Sequence, residues 1–107
     1  MKPCVIDLKG NEKYRRLLGG PPETAILKSG LVTLKPGESV GVHVTEAKEE
    51  AIIVLKGKAC VSYADTGRMT AEANSFVYIP PETKHDVKNI GDGELQYVYV
   101  VGTVLGT

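Results

Sequence analysis

Apolar and polar residues alternate along most of this chain, in short runs broken by glycine, proline or small polar residues. LVTLKP, VGVHVT, KACVSYAD, SFVYIP and ELQYVYVVGTVL each carry the two-residue period of a strand with one buried face. Turn signals at Ser29–Gly30, at PGES over 36–39, at Asp65–Thr66–Gly67 and at Gly91–Asp92–Gly93 separate the runs. EAKEEAIIVL has some helical propensity, but its Ile-Ile-Val core and the following Gly57 favour a loop entering a strand. RMTAEANS is a weaker strand, and Pro80–Pro81 makes a loop before KHDVKNI. About eight to ten short strands result, without βαβ repetition, which indicates an all-β sandwich or barrel.

Residues 1–22 are less regular. PCVID reads as an edge strand, NEKYRRLL as a helical turn or two, and GGPP at 19–22 ends either pattern. The expected organisation is an N-terminal strand or irregular arm over 1–22 and one β-barrel domain over 23–107. Gly37, Gly57 and Gly67 are expected in turns, because no glycine cluster leads into a helix as phosphate binding requires.

Charge narrows the function classes. The 13 Lys/Arg and 13 Asp/Glu cancel, so no positive field is available to attract a nucleic-acid backbone. No run of apolar residues is long enough to span a membrane, and the charged start does not resemble a signal peptide, so a cytoplasmic protein is expected. Cys4 and Cys60 are too few and too far apart for a disulfide framework, and Cys60 reads as a buried apolar side chain.

Candidate chemistry rests on the two histidines, His43 and His85. If both face a barrel interior, one carboxylate beside them completes a two-histidine, one-carboxylate set that suits iron or manganese, and zinc in a catalytic geometry. Glu49 and Glu50 compete for that place, since a strand cannot point both the same way. Alternation and spacing do not by themselves bring the three groups together. The bland account makes both glutamates a solvated entry to the AIIVLK strand.

A pair of motifs favours the site. Gly37, ESVGV, His43, Val44, Thr45, EAKE, Glu50, AIIVLK and Gly57 follow the spacing G, five residues, H-x-H, four residues, E, six residues, G, with Thr45 where a second histidine belongs. Asn74, SFVYI, Pro80, Pro81, Glu82, TK, His85, DVK and Asn89 follow G, five residues, P-x-G, two residues, H, three residues, N, with Asn74 and Glu82 in glycine places. Over residues 36–101 the chain resembles a small single-domain cupin. The resemblance implies a double-stranded β-helix, the jelly-roll barrel, and a homodimer. It also implies a divalent metal (iron, manganese, nickel or zinc) held by His43, Glu50 and His85. Thr45 vacates the fourth ligand place and is left to a bound water or a substrate. Glu49 then falls to the rim.

Strand parity gives pocket candidates. Ile52 and Val54 continue the face of Glu50, while Phe76, Tyr78 and Gln96 are taken as further cavity residues, the last two as polar contacts. Tyr97 and Tyr99 fall on the opposite face from Gln96 and are assigned to packing against a second sheet or subunit. Two functions stand side by side. One is a metal-dependent enzyme, an oxygenase or isomerase acting on a small polar or carboxylated compound. The other is a noncatalytic ligand-binding or structural cupin without metal.

Overall fold

A computed structural model describes residues 1–104; the last three residues of the expected barrel domain lie outside the described residues. Nine strands form among the described residues: β1 (Tyr14–Gly19), β2 (Lys28–Leu34), β3 (His43–Val44), β4 (Lys48–Lys56), β5 (Lys58–Tyr63), β6 (Gly67–Glu72), β7 (Ser75–Ile79), β8 (Lys84–Asn89) and β9 (Leu95–Thr103). They build a five-stranded sheet in the order β1-β2-β9-β4-β7 and a four-stranded sheet in the order β3-β8-β5-β6, every pairing antiparallel. Two antiparallel sheets facing across one apolar core make the all-β jelly roll, a double-stranded β-helix. Val32, Leu34, Ile52, Val54 and Leu95 from the first sheet meet Val61 and Val87 from the second. Among the described residues no helix is long and apolar enough to cross a membrane.

Three local expectations are corrected. The segment read as a helical turn, NEKYRRLL, instead supplies β1, which pairs with β2 and extends the five-stranded sheet. The barrel's sheet therefore begins at Tyr14, before the boundary placed at residue 23. Ser29–Gly30 is no turn, since β2 runs straight through it. Gly30 is there because Tyr99 lies over it: a Cβ at residue 30 would stand 2.7 Å from the Tyr99 ring. Cys60 sits between the buried Ala59 and Val61 on β5, so alternation turns it outward and leaves it half-buried.

Candidate metal centre

The site begins with a strand register. In the β3–β8 pairing His43 lies directly opposite His85, and their ring centroids are 4.1 Å apart at a tilt of 58°. Each ring is held by the same local device. His43 Nδ1–H donates to the Gly41 carbonyl at 2.9 Å, and His85 Nδ1–H donates to the Thr83 carbonyl at 3.0 Å. A main-chain acceptor two residues earlier thus fixes the tautomer of both imidazoles and leaves each Nε2 as the outer atom. Glu50 arrives from the other sheet, at the inward-facing, buried position of β4, while Glu49 points outward to the Tyr78 hydroxyl.

Glu50 and His85 already touch. His85 Nε2 lies 3.0 Å from Glu50 Oε1, with both side chains almost fully shielded from solvent. Burial pulls the His85 pKa down, but the Glu50 hydrogen bond and the Thr83 carbonyl together outweigh it, and the pKa is raised. Each ring nitrogen of His85 thus faces an oxygen acceptor, the Thr83 carbonyl at Nδ1 and Glu50 Oε1 at Nε2. Ligand atoms of His43, Glu50 and His85 all lie within 4.8 Å of one another. Two donors set at right angles about 2.1 Å from one ion are roughly 3.0 Å apart, so the proton between His85 and Glu50 occupies a place that suits a cation. Two imidazoles and a carboxylate are a fitting donor set. The trio is able to coordinate a divalent metal ion.

A cavity of about 530 Å³ opens beside His43 and Glu50, with His85 shielded behind them. It is lined by His43, Thr45 and Glu50 together with Val32, Val87, Lys48, Tyr97 and Tyr99. Ile52 and Val54 share the inward face of Glu50, but they lie in the packed core instead of at the cavity wall. Phe76 and Tyr78 do not belong to this cavity. Val77 and Ile79 take the inward row of β7, so Phe76 and Tyr78 stand on the outer face, 70% and 54% exposed. Gln96 is likewise outside, where its amide donates to the Gly10 carbonyl and to Thr33 Oγ1. The inward row of β9 is Leu95, Tyr97, Tyr99 and Val101, the reverse of the expected parity. Tyr99 also stacks on Tyr14 at 6.1 Å, and the two hydroxyls are hydrogen-bonded.

Comparison with known proteins agrees with this geometry. The family model described as "Cupin domain" matches residues 30–101. This chain belongs to the cupin family. It is 29% identical over 108 residues to polyketide synthase CurC of Streptomyces cyaneus, covering 92% of this chain and 69% of that protein. Mannose-1-phosphate guanylyltransferase RfbM of Salmonella typhimurium is 36% identical over 76 residues, which are 70% of this chain but 16% of that enzyme. Among solved structures, a Bacillus halodurans protein superposes with a TM-score of 0.85 at 18% identity, covering 99% of this chain and 85% of that one.

Against the cupin motifs, the departures now have physical accounts. Thr45, at the vacated histidine place, is buried and its hydroxyl is engaged twice: it donates to the Pro80 carbonyl and accepts the Thr83 N–H. It lines the cavity but fastens the loop leading to His85, a role the sequence did not disclose. Asn74 and Glu82, at the two glycine places, both adopt left-handed backbone, with φ of 70° and 54°. This cupin keeps the backbone conformation and replaces the residue that takes it most readily.

Proposed function

We propose that this cupin binds one divalent metal ion (iron, manganese, nickel or zinc) through His43, Glu50 and His85. A small polar or carboxylated ligand would occupy the adjoining cavity, and the chain would act as an oxygenase or isomerase. The observation that carries this reading is the paired tethering of both Nδ1–H groups, with ligand atoms of the two histidines and one buried carboxylate within 4.8 Å of one another. Such an ion supplies Lewis acidity to a ligand oxygen. The chain's own residues do the rest: the valine and tyrosine walls exclude water, and Glu50 presents its carboxyl group in a shielded position. Thr45 keeps the His85 loop in place. The outward Phe76, Tyr78, Ile26 and Leu27 support a homodimer, which light scattering tests.

The deciding experiment is metal analysis of chain purified without chelator. Binding near one ion per chain is expected, lost in Glu50→Gln and kept in Glu49→Gln. Equal, small effects of the two substitutions would sink the ligand assignment. Oxygen-uptake and small-metabolite turnover screens on the loaded protein then address the reaction.

A second reading has its own observation. His85 and Glu50 form a complete, shielded pair without a cation, as a noncatalytic ligand-binding or structural cupin would use them. Failure to take up iron, manganese, nickel and zinc on reconstitution selects this reading.

A further inference from the structure

The cavity beside His43 and Glu50 gathers its charged and imidazole groups in one stretch, residues 43–50, and is otherwise walled by valines and tyrosines. Val32, Val40, Val87 and Val101 line it with the rings of Tyr97 and Tyr99. The Tyr14 and Tyr99 hydroxyls bond to each other, which leaves one O–H between them for a third group. A sugar or polyol entering here loses water from several hydroxyls and finds few replacements. Each polar group left unpaired costs about 1–3 kcal/mol. An apolar body instead gains roughly 25 cal/mol for each Å² it buries.

Lys48 and Tyr97, together with Glu46 two residues before Lys48, are polar residues of the wall whose side chains the fold does not engage among the described residues. Lys48 shares the inward face of β4 with Glu50, one strand period away, and lines the cavity. Among the described residues it makes no salt bridge. Tyr97 is 3% exposed, yet its hydroxyl makes no side-chain hydrogen bond among the described residues. No unpartnered side-chain oxygen there is sealed from solvent, so this hydroxyl reaches open space, and the cavity is the space its side chain lines.

We infer that the cavity selects a compact carboxylate with an aromatic or branched apolar body over sugars and polyols, Lys48 holding the anionic end and Tyr97 donating a hydrogen bond. The inference deepens the proposed function and rests on it for where the ligand sits. An ammonium at one end and a phenol in an apolar wall recognise one charged head on an otherwise apolar molecule. They give a polyhydroxylated one fewer partners than the waters it must lose.

The test titrates benzoate, benzamide, gluconate and mannose into the zinc-loaded full chain by calorimetry and ligand-observed NMR, with zinc content measured separately. Benzoate should bind about tenfold or more tightly than the other three. Lys48→Met should weaken benzoate about tenfold at unchanged zinc content, and Tyr97→Phe several-fold at an unchanged thermal midpoint. Gluconate or mannose equalling benzoate, or Lys48→Met binding benzoate as the parent does, overturns the inference. If the chain takes up no zinc, the metal reading fails by itself and the same titrations are made on metal-free protein. There, benzoate binding that depends on Lys48 upholds the inference, and no benzoate binding overturns it.

Discussion

The Thr45 hydroxyl bridges Pro80 and Thr83, donating to the first residue's carbonyl at 2.8 Å and accepting the second's N–H at 2.9 Å. Thr83 in turn offers the carbonyl that orients His85. A residue standing where a ligand is expected therefore acts on the site through the loop. Thr45→Val keeps the shape and removes both hydrogen bonds, so it should lower stability by about 1–3 kcal/mol in urea unfolding. Thr45→Ser should recover most of the loss. A silent Thr45→Val would mean that the bridge carries no weight.

His85 gives a pH dependence with a definite sign. Its folded pKa is raised, because the Glu50 and Thr83 hydrogen bonds outweigh the downward pull of burial. The contribution is therefore complete below the unfolded value of about 6.5 and is lost as pH rises through the folded value. Metal-free protein should show a urea midpoint that falls as pH rises above about 6.5, a slope that His85→Gln lacks. Since proton and cation compete for Nε2, apparent metal affinity should rise across the same window. An identical slope in His85→Gln would remove this residue as the cause.

The inward and outward rows can be told apart by truncation. Ile52 is 1% exposed in the core, and Ile52→Ala should cost about 2–5 kcal/mol. Phe76 is 70% exposed, and Phe76→Ser should stay within about 0.5 kcal/mol in dilute protein. A loss at Phe76 comparable to that at Ile52 would contradict the outward placement.

How much of this was legible depended on whether a strand's two rows differ in character. In β4 one row holds Lys48, Glu50, Ile52 and Val54, and spacing to Gly57 separated Glu50 from Glu49 correctly. In β7 both rows are apolar or aromatic, so alternation alone had no means to choose Val77 and Ile79 over Phe76 and Tyr78. β9 posed the same ambiguity more severely, since it lies between β2 and β4 and is apolar on both faces. Lys48 was missed because a lysine at a strand start reads as solvated. Gly30 was misread because a glycine that admits a neighbouring ring looks, in sequence, like one that makes a turn.

Glu82 tests the backbone account of the second motif. A residue with a Cβ held at φ 54° gives up about 1–2 kcal/mol, while glycine's extra freedom when unfolded returns about 0.4–1 kcal/mol. Glu82→Gly should thus be neutral or stabilising by up to about 1 kcal/mol, and Glu82→Val destabilising by more than about 1 kcal/mol. A thermal midpoint that moves down in the glycine variant would contradict this.

The register of β4 makes that strand a kind of reading frame. It is paired on both sides, Glu50 with Ile79 of β7 and with Val101 of β9. Replacing one inward residue alters one contact, but inserting or deleting one residue within 48–54 exchanges the whole inward row for its neighbours. Glu49, Ala51 and Ile53 would then face the barrel, and lysine, carboxylate and two core side chains would leave together. Among descendants of this sequence, length changes should therefore collect in connections such as 20–27 and 90–94, and spare the strand that carries Glu50.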